Sequence, residues 1–184
     1  QLAGLDEILC AGDKVRARSH SRAALRLTND SMLRLDQKTS LSFAEIQTDS
    51  GTSMLDLLEG VIHIITRTPR PFKIRTPFAN ASVEGTEFLV GLEHDATKVM
   101  VYEGKVLVSN EAGSIRLHDH EAAFALNGQV PRKEIIIRPA DAVHWALHYP
   151  VISNDRWNNA SKNDQSAAGL ILEAGHLLTA GQAD

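Results

Sequence analysis

Residues 83–110 read VEGTEFLVGLEHDATKVMVYEGKVLVSN. Phe88 and Val90 alternate with Leu89 and Gly91, and Val99 and Val101 alternate with Met100 and Tyr102. A period of two sends successive side chains to opposite faces, so each run predicts a β-strand. His94-Asp95-Ala96 turns the chain between the runs, and Glu103-Gly104 predicts a two-residue hairpin turn into Val106 and Val108.

The same pattern extends outward. Upstream, Leu25 and Leu27 flank Arg26, Asn29-Asp30-Ser31 marks a turn, Leu33 and Leu35 flank Arg34, and Leu41 and Phe43 repeat the spacing. Leucines inward and charges outward describe half-buried strands. Residues 47–53 read as a polar loop, and residues 55–65 resume the strand pattern around a Glu59-Gly60 turn. Downstream, Ala112-Gly113 turns again, Ile115 and Leu117 follow, and Asn127-Gly128 closes the next pair. Turns at Gly60, Gly85 and Gly104, with Gly113 and Gly128 beyond, suggest loose internal repetition at uneven spacing. The expected fold class is all-β, a curved or solenoid-like stack of short antiparallel strands over residues 3–138.

After Pro139 the character changes. Asp141 caps an expected short helix over residues 142–147, ending before Pro150. Residues 153–165 are polar and asparagine-rich, a linker. Residues 166–180 carry Leu170, Ile171, Leu172, Ala174, Leu177 and Leu178 on helical spacing. The expected organisation is therefore a β domain at 3–138, then a junction helix, a linker and an incomplete helical segment at 139–184.

Composition limits the function. The 184 residues are 43% hydrophobic and 23% charged, ordinary for a globular protein. A net charge of −4 and a pI near 6.1 argue against generic nucleic-acid binding, which needs cations to neutralise phosphates. No apolar run approaches the ~20 residues that span a bilayer. Aromatics, at 5%, are too sparse for a stacking platform for sugars. Cys10 is the single cysteine, so no intramolecular disulfide forms, and its leucine-rich setting predicts a buried structural thiol. The chain opens at Gln1 with no basic-then-apolar leader, as it would after removal of a signal peptide or in a truncated chain.

Several constellations invite a functional reading. His118 and His120 share a strand face as chelation requires, a cupin-like arrangement, but Glu121 points the other way. The alternative is an exposed turn at His120, and no metal site is expected. His63, out of parity with its isoleucine neighbours, is expected to face solvent. Arg67, Arg70, Lys73 and Arg75 form the local cation cluster, with Lys73 and Arg75 on one strand face and Phe72 and Ile74 on the other. It could hold an acidic partner, or it could be a charged sheet edge, a position that Pro69 and Pro71 favour. Trp145, Leu147, Tyr149 and Trp157 predict a packing seam between the β domain and the helices after it, with a partner groove as the alternative. No G-x-S-x-G elbow and no glycine-rich phosphate loop is present, so no catalytic residue or cofactor is expected. Asn80-Ala81-Ser82 and Asn159-Ala160-Ser161 match the short glycosylation pattern.

Taken in order, Gly12-Asp13, Ser21-Arg22-Ala23, Leu25-Arg26-Leu27, Asp30-Ser31 and Leu33-Arg34-Leu35 resemble the opening of FecR-type domains. Leu57-Leu58-Glu59-Gly60, the run from Pro71 to Pro77, Ala79, Val83 and Gly85-Thr86-Glu87-Phe88 resemble the central motif. Val101, Glu103-Gly104 and Val106-Leu107-Val108 are similar to the following hairpin, and Glu121-Ala122 to the last segment. The run from Arg138 to Leu147 resembles the junction into tetratricopeptide-like helices. The resemblance implies a periplasmic or otherwise exported, mostly β module of the bacterial envelope, whose best-known relatives couple an outer-membrane transporter to a sigma factor. It implies a non-catalytic interaction or signalling role with an envelope protein partner, for which Arg67, Arg70, Lys73, Arg75 and Trp145 are the candidate contacts. No transmembrane segment and no nucleic-acid partner are expected. A small-molecule or glycan-binding β module is the alternative, and a cupin-like metalloenzyme a further one.

Overall fold

A computed structural model describes residues 7–27, 30–45, 53–66, 72–83, 85–134 and 145, and the backbone of 170–173. These residues form two sheets. The nine-stranded sheet runs β1 (Glu7–Leu9), β16 (Leu170–Glu173), β3 (Ala23–Arg26), β4 (Met32–Leu35), β7 (Val61–Ile65), β10 (Glu87–Glu93), β11 (Ala96–Glu103), β14 (Ala122–Leu126) and β15 (Arg132–Glu134). The seven-stranded sheet runs β2 (Lys14–Ala17), β5 (Thr39–Glu45), β6 (Ser53–Glu59), β8 (Phe72–Arg75), β9 (Asn80–Val83), β12 (Val106–Asn110) and β13 (Gly113–Leu117). All pairings are antiparallel except β6 with β8. From β2 to β15 the chain deals strands to the two sheets in turn, and in each sheet they then lie in chain order.

The all-β expectation holds, and the period-two alternation explains the core. Leu25, Leu33, Ile62, Phe88 and Val99 of the nine-stranded sheet join Leu41, Phe43, Leu57, Phe72, Ile74 and Val106 of the seven-stranded sheet in one buried cluster. The strands of this cluster each bury one face against the other sheet, the arrangement that removes most apolar surface from water, while β15 is exposed.

Three expectations are corrected. Glu103-Gly104 is not a hairpin turn: it is a corner that carries the chain from β11 in one sheet to β12 in the other. β11 already has β10 and β14 on its two edges, so no edge remains for β12. Glu59-Gly60 makes the equivalent corner from β6 to β7. At both corners the glycine has positive φ, 86° at Gly60 and 97° at Gly104, and its open side is filled by a buried threonine, Thr39 or Thr86. The hydroxyl of Thr39 accepts from Val61 N–H and donates to Val61 C=O, both at 3.1 Å, which ties the corner to the start of β7.

The second correction concerns the cation cluster. β8 is no edge, because it lies between β6 and β9 with partners on both sides. Pro69 and Pro71 precede it, outside the described residues, and its own four residues keep every N–H. Third, Leu170–Glu173 forms a strand between β1 and β3 where helical spacing predicts a helix. A short apolar run fits either state, and pairing on both edges satisfies the strand's backbone in a way a lone helix turn cannot. The remainder of the expected junction helix, linker and helical segment lies outside the described residues, Trp145 excepted. No helix among the described residues is long and apolar enough to cross a membrane.

Candidate functional site

Parity on β8 is as expected: Phe72 and Ile74 are buried, while Lys73 and Arg75 stand on the outer face of the seven-stranded sheet. Register brings other residues alongside them. One rung crosses the whole sheet as Lys14, Ser42, Asp56, Arg75, Asn80, Ser109 and Ser114. The next runs Glu45, Met54, Lys73, Ser82, Leu107 and Arg116. With neighbouring strands spaced ~4.8 Å apart, the face is about 29 Å wide. Its short serine and asparagine side chains line a surface from which the long cations rise.

The charge on this face is opposite to that of the whole chain. Lys14, Arg16, Lys73, Arg75 and Arg116 stand against Asp56, Glu59 and, by register beside Met54, Glu45, in a protein of net charge −4. The Arg75 guanidinium donates from Nε and Nη2 to the two Asp56 oxygens at 2.5 and 2.8 Å, and this bidentate pairing raises its pKa further. Arg16 lies 3.7 Å from Glu59 with both side chains largely exposed, a weak contact in water. Lys14, Lys73 and Arg116 enter no ion pair among the described residues. Arg75 is thus engaged by Asp56, and Arg16 is drawn only weakly toward Glu59. Arg67 and Arg70 lie outside the described residues.

Trp145 does not join the cations. It packs half-buried on the outer face of the other sheet, against Leu89, Met100 and Ala122, with Val61 and Tyr102 beside it. The Arg22 guanidinium lies 5.8 Å from its ring centroid, within cation–π range. Trp145 thus packs on the β domain, while Leu147, Tyr149 and Trp157 of the expected seam lie outside the described residues. Trp145 lies on the outer face of the sheet opposite the cations.

Two buried-or-exposed expectations reverse. His63 does sit on the outer face, yet it is only 2% exposed. Its Nε2 lies 2.9 Å from Glu87 Oε1, and its ring meets Tyr102 edge-on at 5.9 Å. Desolvation lowers the His63 pKa, and Arg34 adds to this, while Glu87 opposes both. Burial likewise raises the Tyr102 pKa. Cys10, expected in the core, is exposed, because the chain turns there with Asp13 Oδ2 accepting from Cys10 N–H at 2.7 Å. His120 occupies a turn with φ 64°. Glu121 accepts from Lys133 Nζ at 2.6 Å and from the His118 N–H at 2.9 Å, and these bonds lower its pKa. Among the described residues no three His, Cys, Asp or Glu side chains are grouped to hold a metal ion.

Comparison with known proteins places this geometry. The family described as "FecR protein" matches residues 13–107. No curated protein matches the chain. Two crystal structures of a "putative anti-sigma factor" from Parabacteroides distasonis, at 1.65 and 2.50 Å resolution, superpose with a TM-score of 0.64 at 21% identity. The match covers 73% of this chain and 64% of that protein, so this chain corresponds to about two thirds of its solved length. At that identity the likeness shows the fold.

Proposed function

Because this chain belongs to the FecR family, we propose that it is a non-catalytic signal-transmission module of the bacterial cell envelope that works by binding a protein partner. The observation that carries the binding part is the cationic outer face of the seven-stranded sheet, where Lys14, Lys73 and Arg116 have no ion-pair partner among the described residues. A basic face on an acidic protein orients encounter with an acidic partner and sets the register of docking. The resemblance in fold to a protein named as an anti-sigma factor supports a regulatory rather than enzymatic role. A periplasmic location and a tetratricopeptide-like continuation after residue 138 belong to this reading. So does a solenoid-like growth of the β domain, which the chain-ordered progression of strands through both sheets supports.

The test is capture of a partner from an envelope extract with the wild-type chain and with a Lys73→Glu/Arg116→Glu variant. A stoichiometric protein retained by the wild type, released by salt and lost by the variant supports the proposal. Equal retention by both proteins at low salt would remove the cationic face from it.

A further inference from the structure

The two ends of the seven-stranded sheet differ in how they are protected. β2 closes one end. Its inward Val15 and Ala17 are buried, and its outward Lys14 and Arg16 place a cation at every second residue, which discourages further strand pairing. β13 closes the other end, with Arg116 as its one outward charge, Ser114 beside it and inward Ile115 only half-buried. Leu107, opposite Arg116 on β12, is 38% exposed.

Hydrogen-bond alternation fixes which backbone groups of β13 face away from the sheet. Thr76 N–H donates to Ala79 C=O at 2.9 Å and closes the β8–β9 hairpin, so Ile74 with Ala81 and Phe72 with Val83 are bonded pairs. Carried through β9 to β12, the alternation bonds Ser82 with Leu107, then Val108 with Ile115 and Val106 with Leu117. Ser114 and Arg116 therefore direct both N–H and C=O away from β12. No strand among the described residues pairs with that side. The row stops at Gly113, where Val130 comes within 3.1 Å of the position a Cβ would take.

We infer that the outer edge of β13 binds an extended acidic segment of a protein partner as an added strand. This deepens the partner-binding reading above and rests on it. A strand laid along residues 114–117 bonds to the N–H and C=O of Ser114 and Arg116, and these backbone groups fix its register. Its residue opposite Arg116 lies on the outer face, where an Asp or Glu meets the guanidinium. The residues on either side of that acid point inward beside Ile115 and Leu117, so they are apolar. The chemistry recognised is an apolar, acidic, apolar run in extended conformation. Lys73 and Lys14 lie further across the same face and steer the rest of an acidic partner onto the sheet. A second copy adding its own β2 would instead bring Lys14 and Arg16 beside Arg116, like charges that oppose pairing.

The experiment uses the isotope-labelled 184-residue chain. The probe is the peptide acetyl-Thr-Val-Glu-Val-Glu-Val-Thr-amide, and the control is the same peptide with Lys for Glu. In the free chain the Ser114 and Arg116 amides are expected to exchange with solvent quickly, and the Glu peptide is expected to slow them by about tenfold or more. The Lys peptide is expected to bind about tenfold more weakly. Ser114→Pro removes one outward N–H and no ladder bond, and is expected to lower affinity for the Glu peptide about fivefold. Should that variant disturb the fold, Arg116→Glu, which keeps both backbone groups, is expected to reverse the preference between the peptides. Protection of both amides in the free chain would overturn the inference, because the edge is then covered by the chain itself. So would equal binding of the two peptides, or spectral shifts at Lys14 and Lys73 with none on β13. None of these results touches capture of an envelope partner through the cationic face, and failed capture with the Glu peptide still bound would fault that reading and not the edge.

Discussion

Gly60→Ala tests whether the sheet-to-sheet corners are built as described. Gly60 has φ 86°, where a Cβ costs about 1–2 kcal/mol in backbone strain. The new methyl would also lie 2.6 Å from Lys38 O and 2.6 Å from Thr39 Cα, and closer still to Thr39 Oγ1. Two of these three atoms are backbone, so relief requires moving the start of β5. That movement would break the two Thr39–Val61 hydrogen bonds, each worth about 1 kcal/mol. The stiffer unfolded chain returns about 0.5 kcal/mol. The net loss is about 3 kcal/mol, or roughly 6–12 °C in melting temperature for a domain of this size. Gly128→Ala is the control: it also has positive φ, at 68°, but its Cβ would meet nothing within 4 Å. It is expected to lose only about 1 kcal/mol, the backbone strain alone. Urea denaturation of both variants decides the matter. Equal losses would show that Gly60 is needed for its φ only and that the close approach of Thr39 does not exist in solution.

Phe88→Ala, at a fully buried position between the sheets, is expected to cost about 3–5 kcal/mol by denaturant titration. Lys73→Glu/Arg116→Glu, on solvent-facing positions of β8 and β13, should leave the melting temperature unchanged while weakening a captured partner, measured by calorimetry at low and high salt. Stability is expected to fall on acidification below pH 6.5. The folded His63 binds its proton less readily than the unfolded chain does, so the loss starts near the unfolded value and ends once the folded group is protonated. Its slope is at most about 1.4 kcal/mol per pH unit for this one group, and His63→Gln should remove that component from the pH–stability curve.

Strand existence is legible because parity is local. Phe72 and Ile74 against Lys73 and Arg75, or Val99 and Val101 against Met100 and Tyr102, declare a face within a few residues. What parity leaves open is which face is the core and what lies over the other. That is why parity sends His63 to solvent: the face is correct, but Glu87 and Tyr102, which close on the ring, come from other strands. The cationic site is half visible for the same reason. Lys73 and Arg75 are neighbours in sequence, whereas Lys14 and Arg116 join them only through cross-strand register.

The amino-acid sequence by itself determined the all-β class, the positions of most turns and the inward set of each strand, since these follow from two-residue periodicity and from glycine's tolerance of positive φ. Motif order added the family, which the match over residues 13–107 established. Only the tertiary structure decided that Glu59-Gly60 and Glu103-Gly104 are corners between sheets and that β8 is central. It also decided that residues 170–173 are a strand and that Trp145 and the cations lie on opposite outer faces. Each of these depends on which strand edge is still unpaired when the next segment arrives. Edge availability is a property of the assembled sheet, and no local run of residues carries it.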